Sequence, residues 1–329
     1  MQTSSHPHLS VVVVIVSDTT ESHCDLSHLS GCLAALAQQA DAPPYEVIVP
    51  YHARVQGIEE LQSRFPDVIF CRVDELKTFT GAAGSREHHD ELRAHGLASA
   101  RGDIIGLLED HARPDAQWCA RVTDAHRDPY AAVGGAIENA IDRPLNWAVY
   151  FCDFGRYQNP VPEGESTIAS DANVSYKRSA LEAIRPVWQE SFHETAVNWA
   201  LTSRGEKLAL SPAIVVYQHR EGLRLGGAIK ERYIWGRSYA ASRVKILGGI
   251  GRLIRIFLAA LLPGVLLLRM SRNVLKKGRC RLSFAKAFPL TVLLTICWSV
   301  GEFMGYVTAR AQGGSRQLES APVPSACSG

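Results

Sequence analysis

The stretch GDIIGLLEDHARPDAQW, residues 102–118, sets five apolar residues, Ile104 to Leu108, directly before Glu109, Asp110 and His111. A continuous apolar run of this length reads as a strand covered on both faces, most often in a parallel sheet. In open α/β sheets ligands gather at the carboxyl ends of strands, so acids and an imidazole placed there have a chemical use. Side chains alternate along extended chain, which puts Glu109 and His111 on one side and Asp110 on the other. A carboxylate and an imidazole converging in this way suit Mn²⁺ or Mg²⁺. The other reading of the trio is a cap for the helix expected to start near Asp115.

Working outward, similar runs recur at VVVVIVS (11–17), YEVIV (45–49), VIFCRV (68–73) and AIVVY (213–217). Stretches of helical period lie between them, at 25–40, 57–65, 86–100, 115–127, 178–185 and 193–204. Any one run taken alone also fits a buried helix segment. Strand and helix in alternation predict a doubly wound α/β domain over about the first 220 residues.

The chain has 329 residues, 46% of them hydrophobic and 21% charged, the composition of a folded globular protein. Its net charge of +2 conceals a division. Residues 219–286 hold 16 of the 35 Lys and Arg but only Glu221 and Glu231 of the 33 acidic residues. An acidic body is thus followed by a basic section that calls for an anionic partner. The apolar runs inside that section favour anionic lipid over nucleic acid. The eight cysteines have neither CxxC nor metal-finger spacing and read as reduced thiols. No signal peptide is expected at the start, because the first ten residues lack Lys and Arg.

After Gln218 the pattern changes. GGAIKERYIWGRSYAASRVKIL reads as a basic helix with Tyr233, Trp235 and Tyr239 interleaved. The run 256–268 is bracketed by Arg255 and Arg269 and broken by Pro263-Gly264, too short to span a bilayer by itself. It is expected to dip into one leaflet and return, keeping the basic loop 269–287 on the side of the α/β body. The run 288–307 carries one charge, Glu302, and at 1.5 Å per residue reaches about 30 Å, so it alone is expected to span. Glu302 should then pair with a protein group or lie near an interface. The remaining reading makes both runs buried helices of a soluble domain. The Gly/Ser/Pro-rich tail from Ala311 reads as disordered.

ARGDIIGLLEDHARPDAQW resembles the segment of family 2 glycosyltransferases (GT-A fold) that carries the DxD motif, with E-D-H in its place. SVVVVIVSDTT resembles the first strand and its nucleotide-contacting end, which points to Ser17 and Asp18. ELRAHGLASARGD resembles the "ARNxGLxxAxGD" helix and points to Arg93. SDANVSYKRSALEAI resembles "GxNxxxRRxAL" and points to Asn173. ESFHETAVNWALTSRG resembles the "ED" segment, which places the catalytic base at Glu194. The match covers about residues 9–220. It implies a GT-A, Rossmann-like, mostly parallel sheet with helices on both faces, plus a C-terminal membrane-associated helical region. The divisions are 1–225 catalytic, 226–310 basic, amphipathic and membrane-associated, and 311–329 tail.

The resemblance further implies an inverting transfer from a nucleotide-diphosphate sugar to an acceptor hydroxyl, on a glycan or lipid-linked acceptor. Glu109, Asp110, Arg93, Asn173, Ser17 and Asp18 are expected at the nucleotide sugar. Where the family has "VDDGS", this chain reads Pro50-Tyr51-His52-Ala53, and Tyr51 is expected to stack on the base instead. Mn²⁺ or Mg²⁺ would be held by Glu109 and His111, with His219 as third ligand, as a diphosphate contact, or as a structural histidine. Asp153, Asp171 and Glu190 are the fallback bases, and Glu194 also fits a plain helix N-terminus. His88 and His89 are adjacent, diverge on a helix, and read as a solvated polar face. A cytosolic donor puts the catalytic body on the cytoplasmic side. Two rivals are a catalytically inactive nucleotide-sugar-binding scaffold, given the altered motifs, and a nucleotidyltransferase of similar fold. The second would need a Gly/Arg/Lys phosphate loop after the first strand, which SDTTESHCD lacks.

Overall fold

A computed structural model describes residues 6–17, 26–78, 86–244 and 247–310. The apolar runs become strands β1 (Leu9–Val14), β2 (Tyr45–His52), β3 (Val68–Val73) and β4 (Ile104–Glu109). Helices α1 (Ser27–Ala37), α2 (Ile58–Arg64) and α3 (Arg86–Ser99) alternate with them. All four strands pair in parallel, in the order β3-β2-β1-β4.

Beyond β4 the sheet becomes mixed. β5 (Ala112–Pro114), α4 (Trp118–Ala125), β6 (Ala132–Asn139) and α5 (Pro144–Asp153) lead through a 3₁₀ turn (Gly155–Tyr157) to β7 (Gly164–Ser166). Then come β8 (Asn173–Lys177), α6 (Arg178–Glu182), α7 (Arg185–Trp188), α8 (Glu194–Ser203) and β9 (Leu208–Gln218). The order continues β4-β8-β6-β9-β5, with β8 antiparallel to both neighbours and β6 parallel to β9. Because β8 runs backwards, its first residue Asn173 lies across from Leu108, at the carboxyl end of β4. One register therefore brings 170–173 beside 109–111.

Alternation along β1 feeds both layers. Val11 and Val13 pack with α1, α2, α4 and α5, while Val12 and Val14 pack with α3, α6, α7 and α8. Buried Asn173 ties the centre together: its amide donates to the Ala136 and Ile214 carbonyls at 2.9 and 3.1 Å and accepts from Trp118 Nε1 at 2.9 Å. Gly135 makes room for it, since a Cβ there would collide with the Ile214 carbonyl and the Asn173 amide. Burial lifts the Cys119 and Cys152 thiols to about 12, which keeps them protonated and inert.

From Leu225 the described chain is helical: α9 (Leu225–Val244), α10 (Gly249–Ala259), α11 (Leu262–Lys277) and α12 (Arg281–Thr308). The α10–α11 pair bends by 65° at residues 260–261, just ahead of Pro263, which sits in the first turn of α11 instead of breaking it. α12 is the one described helix long and apolar enough to cross a membrane. It lies parallel to α9, close enough that a Cβ on Gly301 would strike the Tyr233 carbonyl. Its first half packs on α5: Ala287 and Leu294 join Ala148 and Val149 in one apolar cluster. Glu302 has the expected protein partner, Trp298 Nε1 at 2.7 Å. The tail 311–329 lies outside the described residues.

Candidate active site

β1 and β4 are parallel with Val14 opposite Glu109, so both deliver their carboxyl ends to one edge. There Glu109 and His111 meet, Oε2 to Nε2, at 3.3 Å. Asp110 turns the other way. It accepts the Val16 and Ser17 backbone N–H at 3.1 and 3.4 Å, together with the Ser17 hydroxyl. Strict alternation stops at Glu109, because the chain turns at 110–111. His111 consequently reaches Asp110 as well, through Nδ1 at 3.3 Å. Burial opposes charge on this imidazole, but the hydrogen bonds to Asp110 and Glu109 prevail and raise its pKa to about 9.

Arg93, on α3, is buried among acids from four segments. Its guanidinium lies 2.9 Å from Asp90, 3.1 Å from Asp171 and 3.4 Å from Glu109. Burial disfavours the cation, but Asp171, Asp90, Glu109 and Glu194 outweigh it and hold the group protonated. Glu194, the first residue of α8, accepts the Asp171 backbone N–H at 3.2 Å. Residues distant in sequence, 90–93, 109–111, 171 and 194, thus share one carboxylate-rich niche at the sheet's carboxyl edge. Asp90 was not foreseen, although its spacing of three from Arg93 on a helix was a legible signal.

Several expected site residues are placed differently. Asn173 is wholly buried with its amide engaged inside the sheet, so it supports the site from beneath rather than touching a ligand. Ser17 is buried, with its hydroxyl on Asp110. Asp18 lies outside the described residues. Tyr51 is partly buried on the α1–α2 face near the end of β2. His219 joins His111 through the backbone, N–H to carbonyl at 2.8 Å. Its Nδ1 has no hydrogen-bond partner, and its pKa is lowered by burial and then by Arg113. It does not complete a ligand set: among the described residues, no three His, Cys, Asp or Glu side chains are placed to hold a metal. Glu109 and His111 remain a two-donor pair.

Of the fallback bases, Asp171 is in the niche. Asp153 is paired with Arg232 at 2.5 Å, and Glu190 is exposed beside Lys77. His88 and His89 are buried rather than solvated. Glu91 accepts the backbone N–H of Lys77 and Thr78 at 2.8 and 3.0 Å, which draws that turn over α3.

No protein-family model matches the chain. No curated protein matches it. Among solved structures it is similar to the mannosyltransferase PcManGT from Pyrobaculum calidifontis, in complex with GDP-Man and Mn²⁺. That similarity has a TM-score of 0.52 at 15% identity and covers 91% of this chain and 88% of that one. Two structures of S. aureus TarS align more loosely at 14% identity, with TM-scores of 0.41 and 0.43. The chain spans 64% and 43% of their lengths. The mixed α/β sheet flanked by helices is the fold this chain shares with the mannosyltransferase.

Proposed function

We propose that this protein is a GT-A glycosyltransferase of the family 2 type, moving a sugar from a nucleotide-diphosphate donor to an acceptor hydroxyl with inversion. The carrying observation is the niche itself, where Glu109, Asp171 and Glu194 surround one buried arginine at the edge where α/β sheets bind ligands. The shared fold supports it, as does the GDP-Man held by the mannosyltransferase.

Glu194 removes the acceptor hydroxyl proton as that oxygen bonds to the anomeric carbon. The bond from that carbon to the diphosphate oxygen breaks on the opposite face, and the nucleoside diphosphate leaves with the electron pair. Asp171 holds Glu194 in place through its backbone N–H. Arg93 fixes Glu109 and Asp171 relative to each other. Tyr51 offers a ring for the base.

Glu109 and His111 fit Mn²⁺ or Mg²⁺ in the manner of sites that rely on one or two side chains plus substrate phosphates. Such an ion offsets charge on the departing diphosphate. His111 must release its proton to serve as a ligand. The acceptor is a glycan or a lipid-linked sugar presented at a membrane, with the catalytic body on the cytoplasmic side.

The test is a thermal-shift screen of the full-length protein against nucleotide sugars, with and without Mn²⁺, followed by release of labelled sugar. One donor should stabilise the fold, by about 2.7 kcal/mol at a hundred times its Kd. If no nucleotide sugar stabilises the protein or is turned over, the assignment fails.

A further inference from the structure

The C-terminal helices carry information about how the protein meets a membrane. α12 is long and apolar enough to cross a bilayer, but its neighbours leave no room for one. Phe284 stacks edge-on against Phe151 of α5 at 4.9 Å, and Ala287 and Leu294 lie on Ala148 and Val149. At Trp298 the helix still faces Arg232, 6.0 Å from the indole centroid, and Arg232 is bound to Asp153 of α5. The catalytic body therefore accompanies α12 as far as Trp298. Only Ser299–Thr308 projects beyond it, about 15 Å at 1.5 Å per residue, half of one hydrocarbon core. Even that part runs beside the α9 segment carrying Arg237 and Arg243.

The basic turn before α12 is fixed on the same side. Asn273 donates to the Gly155 carbonyl, Lys277 to the Arg156 and Gln158 carbonyls, and Arg279 to Glu138 at 2.7 Å.

α10 meanwhile presents an unpartnered apolar face. Ile250, Leu253, Ile254, Phe257 and Leu258 recur at helical spacing along it, Leu261 follows just past its end, and all are 47–79% exposed. Arg252, on the opposite face, donates to the Tyr306 and Val307 carbonyls at 2.6 Å each and holds α10 against the end of α12. Val300, Phe303 and Val307 continue exposed apolar surface along the projecting part of α12. Exposed Arg255, Arg269, Arg272 and Lys276 lie around it with no acidic residue between 232 and 301. A second copy of this face would set like charges against one another, whereas anionic headgroups complement them.

We propose that the protein is monotopic: α10 and the projecting ends of its neighbours sit in one leaflet of an anionic bilayer, and no helix crosses. This replaces the expected crossing by 288–307. It stands apart from sugar transfer, and a protein that never transfers sugar would give the same readouts.

Two cysteine variants in an otherwise cysteine-free chain, Lys276→Cys and Arg310→Cys, report sidedness in sealed cells. With an impermeant maleimide, neither should be labelled until the membrane is opened. Labelling of Arg310→Cys alone in intact cells means that α12 crosses and overturns the proposal. The full-length protein should pellet with membranes and bind phosphatidylglycerol-containing vesicles at least tenfold better than pure phosphatidylcholine. Leu253→Glu/Phe257→Glu should move it to the supernatant with its melting temperature unchanged. Wild-type protein left in the supernatant also overturns it, as does a solution dimer that the same double substitution dissociates.

Discussion

Replacing Arg93 with methionine keeps the aliphatic stem and removes the cation that Asp90, Asp171 and Glu109 share. Three carboxylates lie within 3.4 Å of the guanidinium, and all four side chains are at most 14% exposed. At an effective dielectric near 20, unit charges 4 Å apart attract by about 4 kcal/mol. Three such contacts exceed the desolvation cost of one guanidinium, consistent with the held proton. Truncating one partner of a buried ionic cluster leaves the others uncompensated and typically costs 3–5 kcal/mol. At roughly 2–4 °C per kcal/mol, Arg93→Met should melt about 10 °C below wild type at pH 7. Intrinsic fluorescence during heating, in matched detergent, is the assay. Lowering the pH toward 5 should narrow the gap, because protonation relieves the carboxylate repulsion. Millimolar Mg²⁺ should recover part of the loss in the variant and little in wild type. A variant melting within 1 °C of wild type at pH 7 would refute the picture of Arg93 as the niche's counter-ion.

Other outcomes follow from the same geometry. Glu194→Gln should lower kcat by roughly 10²–10⁴-fold while leaving donor Kd within a few-fold, the scale of lost general-base catalysis; near-normal turnover would transfer the role to Asp171. His111→Ala should weaken the dependence of donor affinity on Mn²⁺, measured by calorimetry with and without the ion; unchanged, metal-independent affinity would remove His111 from the ligand set. His126, buried and near Lys177, has its pKa lowered from 6.5 to about 4. Its neutral form is favoured in the fold, so its contribution is present above pH 6.5 and lost as pH falls through 4. At about 1.4 kcal/mol per tenfold change in proton affinity this is roughly 3 kcal/mol, and His126→Asn should flatten the stability slope between pH 4 and 6.5 in urea titrations.

The parallel half of the sheet was legible because each strand there is built on an apolar run, interrupted only by single polar residues such as Glu46 and Arg72. β6 was not, since AVGGAIEN contains two adjacent glycines, nor was β8, where NVSYK carries polar residues whose burial depends on partners elsewhere. Ser175, for instance, is buried against His126 and the Val133 carbonyl. At the site, strand period pointed to the pairing of Glu109 with His111, but the turn at 110–111, which also brings His111 to Asp110, was not legible. The gathering of Asp171 and Glu194 around Arg93 depends on β8 running antiparallel between β4 and β6, a topological fact that no local pattern encodes. Asn173 was expected at the nucleotide sugar but is turned into the sheet, because its three hydrogen bonds involve Trp118, Ala136 and Ile214, far from it in sequence. His88 and His89 misled for a similar reason: both are buried, His88 with its ring 6.1 Å from that of His52 at the end of β2, which sequence period does not report.

The contact between α5 and α12 bears on how this chain can be divided. A fragment ending at residue 225 looks like a self-sufficient enzyme in sequence, but it would leave Asp153 buried without Arg232 and bare Ala148, Val149 and Phe151 to water. Expression of such a fragment should yield aggregate, and adding back 226–310 as a separate polypeptide should restore solubility. The segment proposed to meet lipid is also part of the scaffold of the α/β body. Exchanging it for the anchor of another enzyme would require redesigning α5 together with it, so this chain would evolve, and can be engineered, only as a single unit.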